Sequence, residues 1–251
     1  MKALLMEITT KKLVLLPGMD GSVELLRGFA EALPEGLEAE TLWYPQDRWM
    51  DLRDLAGTLR GALPVEEPFV LVAESFGVPL AILIAALDPP NLKGVVACAG
   101  FVRSPLRGWK RELVWELAPL LSHVTMPGFV ARYWMVGDEV PRAMVESVTG
   151  AVSWVTPKVL AERVREALNV DVRGELAQVK VPMLYVQPTR DRLVDAACAE
   201  ELMTVRQGRL VRIDGPHLLM QAKPVLCAEA VAEFVGELVW EVEKEGRGVA
   251  L

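Results

Sequence analysis

Two hydrophobic patterns alternate along the first hundred positions of the chain. Short, mainly apolar runs are typical of strands buried on both faces of a parallel sheet, and they predict strands over 13–16, 69–73 and 92–99. A further strand is expected over 38–44, where Pro45 closes it. Between these runs, apolar residues recur at helical spacing and predict helices over 23–33, 51–63 and 80–87. Alternating strands and helices with short connections predict a parallel sheet that is covered by helices on both faces.

The strand signals disappear between residues 101 and 169. Four consecutive segments of this region read as helices, over 107–121, 124–136, 140–148 and 156–168. Alternation then resumes, with strands over 181–186 and 209–213 and helices over 174–179, 196–205 and 224–242. We therefore expect an α/β fold with a mostly parallel, doubly wound sheet, whose core is residues 1–102 and 170–251, and a helical cap over residues 103–169.

A serine stands between the third predicted strand and the helix that follows it. Small residues lie two positions before Ser75, at Ala73, and two positions after it, at Gly77. This arrangement is typical of a nucleophile elbow, a strained turn that lifts the serine hydroxyl out of the sheet. The alternative is a serine that caps a helix after a buried strand, and this segment alone does not separate the two interpretations.

Open parallel sheets place their sites beyond the carboxyl ends of the strands, and the polar residues at those ends form a pattern. Asp191 follows the fifth predicted strand and His217 follows the last. A nucleophilic serine needs a base, and the base needs an orienting carboxylate, so Ser75, His217 and Asp191 are the candidate catalytic residues. The other histidine, His123, lies within the predicted cap. Asp195 and Asp214 compete with Asp191, and for all three carboxylates a turn or helix cap is the structural alternative.

Acyl transfer also needs hydrogen-bond donors for an oxyanion. The amide of Phe76 follows the candidate nucleophile at a helix N-terminus, and the loop after the first strand should supply the second donor. Met19, the residue after the first glycine of that loop, is the candidate. The side chain of Asp20 is expected to turn back onto the loop backbone, and Ser22 is expected to cap the next helix.

Composition narrows the classes of partner. A formal net charge of -7 over 251 residues, with a sequence pI near 5.1, argues against a nucleic-acid partner. The three cysteines, Cys98, Cys198 and Cys227, show neither a metal-ligand spacing nor a disulfide framework, so we expect free thiols, no metal and a cytoplasmic location. Neither a secretory signal peptide nor an apolar run long enough for stable membrane insertion is recognisable.

The loop Pro17-Gly18-Met19-Asp20-Gly21 and the segment Glu74-Ser75-Phe76-Gly77 resemble the α/β-hydrolase superfamily, and the order Ser, Asp, His is that of its triad. Within the superfamily, these two motifs look similar to a bacterial and plastid branch of esterases and acyltransferases that includes the plant phytyl ester synthases, and this closer match covers about residues 13–104. Two positions depart from the family pattern, because Ala73 replaces the elbow glycine and Val78 stands where a further glycine is common. The resemblance implies an α/β-hydrolase fold without a cofactor, and a cap between the sixth and seventh strands of the standard fold. It also implies that residues 3 to 9 could supply one of the first strands.

These observations predict a serine carboxylic-ester hydrolase that acts through an acyl-enzyme on small to medium, partly apolar acyl esters. The alternative is an acyltransferase or thioesterase with the same triad, because the two differ only in whether water is excluded. A non-catalytic binding protein with this fold is a third interpretation. Acyl chain length, alcohol specificity and oligomeric state are left open by the sequence.

Overall fold

The fold is a single six-stranded sheet in the computed structural model, which describes residues 10–240 except 107, 122, 124 and 125. The strand order is β2-β1-β3-β4-β5-β6, and every pair of neighbours is parallel. The strands are β1 (Lys11–Leu16), β2 (Leu37–Thr41), β3 (Phe69–Glu74), β4 (Leu92–Cys98), β5 (Met183–Pro188) and β6 (Gly208–Ile213). The predicted fold class is confirmed, and residues 3 to 9 lie outside the described residues.

Helices flank the sheet and form the segment between β4 and β5. They are α1 (Arg27–Glu31), α2 (Leu52–Arg60), α3 (Gly77–Ala86), α4 (Trp109–Leu121), α5 (Gly128–Ala131), α6 (Arg142–Trp154), α7 (Pro157–Asn169), α8 (Arg173–Leu176), α9 (Cys198–Leu202), α10 (Leu219–Ala222) and α11 (Pro224–Glu237). A π-helical turn over Arg132–Val136 continues α5. No helix within the described ranges is long and apolar enough to cross a lipid bilayer.

The continuous apolar runs become strands because each one serves two cores. In β1, Val14 and Leu16 pack in the core beneath α2 and α3, whereas Leu13 and Leu15 pack in the core beneath α1 and α11. Successive side chains of a strand point to opposite faces, so a run without polar positions fills both cores at once. Strands β3 and β5 are consequently buried along their whole length, and the carboxyl ends of the strands are fixed relative to one another.

Several predicted helices have other bounds in the structure, and two of them show why. The helix predicted over 23–33 is only five residues long, and its N-cap is Leu26 and not Ser22, whose hydroxyl donates to Asp20 Oδ2. The segment predicted over 124–136 is divided into α5 and the π-helical turn, and Gly137 ends it with a φ of 78°. Periodicity detected both elements but does not register a cap whose side chain finds a closer partner or a change of helix type.

Helices α4 to α7 lie in residues 103–169, and we call this segment the insertion. A short antiparallel bridge between Arg103 and Asp171 closes its base, and the Val172 amide donates to the Val102 carbonyl at 2.8 Å. These contacts lie at the boundary expected from the sequence. The division into a core and a cap domain stays a prediction.

Candidate active site

The turn after β3 has the backbone of an elbow. Ser75 has a φ of 51°, in the left-handed region that costs strain for any residue with a Cβ. Ala99, at the end of β4, shares that region with a φ of 50°, so Ser75 is not the only strained strand end. A Cβ on Gly77 would lie 2.6 Å from the carbonyl oxygens of Leu16 and Pro17, so the turn can pass the end of β1 only with glycine there.

The two departures from the family motif are accommodated by packing. Ala73 is fully buried in β3, where its methyl group belongs to the core beneath α2 and α3. Val78 lies against Gly100, since a Cβ on Gly100 would lie 2.3 Å from Val78 Cγ2. The Val78 side chain thus fits because Gly100 has no side chain of its own.

The structure brings Ser75, His217 and Asp191 together at the carboxyl ends of β3, β5 and β6. Ser75 Oγ lies 2.9 Å from His217 Nε2, and His217 Nδ1 lies 2.8 Å from Asp191 Oδ2. The second carboxylate oxygen, Asp191 Oδ1, accepts the amides of Leu193 at 2.8 Å and Val194 at 2.9 Å. These two amides hold the carboxylate in place, and the carboxylate in turn holds the imidazole ring towards Ser75.

The competing residues are engaged elsewhere. Asp195 accepts the Ala197 amide at 2.9 Å, and Asp214 accepts from Thr189 and from Arg190 at 2.9 Å on the surface. His123 is exposed in the insertion. The carboxylate and the imidazole at the site are therefore those of Asp191 and His217.

Two acidic neighbours tune the imidazole. His217 is 3% exposed, and burial lowers its pKa, but the Asp191 carboxylate and the more distant Glu74 outweigh burial and raise the pKa of His217 above its ordinary value. Burial raises the pKa of Glu74 to about 7, against the opposing effects of a hydrogen bond from Gln221 and the charge of His217. A raised His217 pKa makes the neutral ring a stronger base towards the serine hydroxyl.

The two candidate oxyanion donors flank Ser75. Phe76 is the N-cap of α3, and the loop that carries Met19 approaches Ser75 so closely that a Cβ on Gly18 would lie 3.9 Å from Ser75 Cβ. Within the described part of the chain, neither the Met19 amide nor the Phe76 amide donates to a protein acceptor. Amides left open beside a serine are the arrangement that an oxyanion site requires.

Asp20 behaves as expected from the sequence. Its Oδ2 accepts the Ser22 amide and the Ser22 hydroxyl, so the side chain turns back onto its own loop. Burial raises the pKa of the Asp20 carboxyl, and the hydrogen bonds from Ser22 reduce that effect. The residue stabilises the loop and takes no direct part in the site.

Sequence analysis did not identify three residues next to the site: Glu74, Gln221 and Arg163. Glu74 was detectable, since it is a lone acid at the end of an apolar strand, and its Oε2 accepts from Gln221 Nε2 at 2.8 Å. Arg163 lies on α7 and is only 4% exposed. Its Nη1 donates to the Met19 carbonyl at 2.7 Å, and no local pattern in the sequence signals that contact across the fold.

Comparison with known proteins identifies a family. The family model described as serine aminopeptidase, S33, matches residues 44–213, which include Ser75 and Asp191. The match begins after the Met19 loop and ends before His217. A search of curated proteins finds no significant match.

Solved structures share the fold at low sequence identity. A hydrolase from Oleispira antarctica has a TM-score of 0.78 at 12% identity, with 90% of this chain and 91% of that chain covered. The enol-lactonase from Burkholderia xenovorans LB400 has a TM-score of 0.75 at 17% identity, with 91% and 92% covered. A thermophilic esterase from Thermogutta terrifontis has a TM-score of 0.74 at 18% identity, with 91% and 90% covered. At this level of identity the likeness concerns the fold.

Proposed function

Because the chain belongs to the serine aminopeptidase (S33) family of α/β-hydrolases, we propose that it is a serine carboxylic-ester hydrolase. It is an enzyme of the serine hydrolase type, and the proposal concerns its bond, its substrate class and its residues. One observation carries the proposal: the relay of two hydrogen bonds from Asp191 through His217 to Ser75, with Ser75 on a left-handed turn. That relay supplies an activated nucleophile at neutral pH.

The reaction follows from the positions of these groups. Ser75 Oγ attacks the acyl carbon while its proton passes to His217 Nε2, and Asp191 holds the Nδ1–H tautomer and stabilises the imidazolium. The Met19 and Phe76 amides donate to the oxyanion that forms. The tetrahedral intermediate collapses as the bond between the acyl carbon and the alcohol oxygen breaks, and His217 returns the proton to the departing alcohol. Water then attacks the acyl-enzyme by the same steps, and the acid leaves.

An exposed aromatic pair of the insertion supports the proposal of a partly apolar acyl group. The π-helical turn carries Tyr133 and Trp134, whose rings are 5.2 Å apart and about half exposed. The next residue of that turn is Met135, whose carbonyl accepts the Leu218 amide at 2.8 Å. This bond ties the turn to the residue that follows His217 in the sequence. Rings of this kind favour an uncharged acyl chain of small to medium length.

Replacement of the nucleophile tests the proposal. We expect S75A to abolish hydrolysis of p-nitrophenyl acyl esters and labelling by a fluorophosphonate probe, while far-UV circular dichroism is unchanged. We expect H217Q and D191N to reduce kcat/KM by roughly 10³-fold or more, since both disturb the proton relay. The matched controls are H123Q and D195N, which change the same residue types outside the relay and should retain the wild-type rate.

The outcomes separate the proposal from its alternatives. Undiminished turnover or labelling in S75A would refute the proposed nucleophile. An aminoacyl p-nitroanilide assayed in parallel distinguishes peptidase from esterase activity, and faster release of nitroaniline than of nitrophenol would contradict the proposed bond. Alkyl esters formed in the presence of a competing alcohol would identify acyl transfer instead of hydrolysis.

A further inference from the structure

Four consecutive carbonyl groups of the loop after β1 are each held by a hydrogen bond. Their oxygens belong to residues 17 to 20 and accept, in chain order, from Tyr44 Oη, from the Gly21 amide at 3.1 Å, from Arg163 Nη1 at 2.7 Å and from Gln46 Nε2 at 3.2 Å. A loop with every carbonyl engaged cannot turn a peptide plane without breaking a hydrogen bond.

This arrangement determines where the Met19 amide points. The Gly18 carbonyl and the Met19 amide belong to one trans peptide group, so they point in opposite directions. Because the Gly21 amide holds that carbonyl, the Met19 N–H is directed away from the turn and is left open. The Met19 carbonyl belongs to the next peptide group, at the centre of the turn from Gly18 to Gly21, and that group is the one held by Arg163.

Arg163 comes from the insertion, while its partners come from the core. Its Nη1 donates to the Met19 carbonyl and its Nη2 to the Pro45 carbonyl at 2.6 Å, and the guanidinium lies over the Tyr44 ring at 5.3 Å from the ring centroid. The side chain therefore joins the loops after β1 and β2 to α7. A planar fork suits this task because it offers a separate nitrogen to each carbonyl, whereas a lysine would have to serve both from one nitrogen.

We propose that Arg163 is a positioning residue for the oxyanion hole, so that the insertion completes the site through the Met19 loop. The inference rests on the proposed function, because it assigns the Met19 amide to the oxyanion. A second contact acts in the same direction, since the Thr156 amide of the insertion donates to the Gln46 carbonyl at 2.8 Å and Gln46 in turn holds Asp20. The insertion is thus a structural part of the donor site.

The simpler alternative is that Arg163 only docks the insertion. A docking residue would change stability or KM when it is removed, and the rate constant of acylation would remain. A positioning residue lowers kcat at nearly constant KM, because the oxyanion is stabilised only in the transition state.

The test compares two arginines of the same helix in the full chain. We expect R163Q to lower kcat for p-nitrophenyl esters by roughly 10- to 100-fold, which is less than the loss of a whole oxyanion donor, with KM changed by less than about threefold. R163K should keep more activity than R163Q, and added guanidinium ion should partly restore R163A. The matched control is R165Q, because Arg165 of the same helix lies over the Trp115 ring of α4 and makes no hydrogen bond to the loops after β1 and β2.

A readout without turnover separates this inference from the proposed function. Hydrogen exchange of the peptide that carries residues 17–22 should be faster in R163Q than in wild type, and unchanged in R165Q. If the wild type has no esterase activity and R163Q still exchanges faster over residues 17–22, the proposed function is contradicted. The role of Arg163 in holding the Met19 loop is then still supported. If R163Q retains wild-type kcat and wild-type exchange, or if its loss is no larger than that of R165Q, the positioning role is wrong.

Discussion

The sheet and the insertion are held by different forces. In the sheet, the strands bury nearly all of their apolar side chains, and Phe69, Leu71 and Val95 have no exposed surface. In the insertion, large apolar side chains face solvent, with Trp109 exposed at 70% and Phe129 at 75%. Among its described residues, the cluster of buried apolar side chains around α5 and α6 is small and is completed by Leu218 of the core. The insertion is therefore not a second core of the same kind.

Polar contacts to the main chain of the site loops hold the insertion instead. Arg163 donates to carbonyls after β1 and β2, and Arg192, next to Asp191, donates to the Tyr133 carbonyl at 2.7 Å with its guanidinium 4.0 Å from the Tyr133 ring centroid. The Leu218 amide holds the Met135 carbonyl. These contacts reach both the oxyanion side and the acid–base side of the site. Apolar burial determines the sheet, whereas docking onto the site determines the insertion.

A matched pair of phenylalanines gives the largest expected difference between the two regions. F69A removes a fully buried ring from the core and should cost about 3 to 5 kcal/mol of unfolding free energy, through lost burial and the cavity left behind. F129A removes an exposed ring of the insertion and should change stability by no more than about 0.5 kcal/mol. Urea unfolding of both variants measures the difference.

A large loss of stability in F129A would contradict this contrast. It would mean that a partner covers the insertion surface in solution, and the oligomeric state of both variants by light scattering would detect that partner. The same measurement serves as the control for F69A, whose loss should not depend on protein concentration.

The sheet could be predicted from sequence because its determinants are local and repeated. The apolar runs at 13–16, 69–73 and 92–99 correspond to β1, β3 and β4 within two residues at each end, since burial on both faces leaves no polar position to blur the pattern. The type of each helix in the insertion was harder to predict from the sequence, as the π-helical turn over 132–136 shows. Periodicity records which face is apolar, and it does not record which carbonyl an amide chooses.

The candidate site was predictable to the extent that its residues lie at strand ends. Ser75, Asp191 and His217 could each be placed beyond a strand, and parallel topology then brings those ends together. Arg163 could not be placed in this way, because its contact with the Met19 carbonyl joins positions 144 residues apart. The proposed catalytic roles, the cap boundary, the cytoplasmic location and the likeness to the phytyl ester synthase branch stay predictions.

Buried acids are a second contrast, since Glu74 of the core is 1% exposed whereas Glu116 of the insertion faces solvent. Folding raises the pKa of Glu74 from 4.5 to about 7, mainly through burial. The folded protein therefore holds this proton more tightly than the unfolded chain. Its contribution to stability is fully present below the unfolded pKa and is lost as pH rises through about 7.

The variant E74Q removes this dependence, because a neutral amide replaces the acid and can still accept from Gln221. We compare the unfolding free energy of E74Q with that of wild type at each pH. This difference should rise in favour of E74Q by roughly 3 kcal/mol from about pH 4 to about pH 9. Urea unfolding at both pH values measures the gain, and E116Q in the insertion is the matched control, expected to follow wild type. If E74Q and wild type differ in unfolding free energy by the same amount at both pH values, the difference arises from packing and not from ionisation of Glu74.

The smallest expected effect tests whether the two regions unfold together. Gly57 lies inside α2 of the core and Gly150 inside α6 of the insertion, and a Cβ at either position would meet nothing within 4 Å. Each change to alanine should stabilise its helix by about 0.5 to 1 kcal/mol, because alanine loses less backbone entropy. Since polar contacts tie the insertion to loops at both sides of the site, we expect G57A and G150A to shift one common transition by similar amounts.

Urea unfolding followed by tryptophan fluorescence and by far-UV circular dichroism would show this common transition, because four of the seven tryptophans lie in the insertion. If G150A moves only the fluorescence transition and G57A moves only the circular dichroism transition, the insertion folds independently, and its docking contacts are too weak to position the Met19 loop.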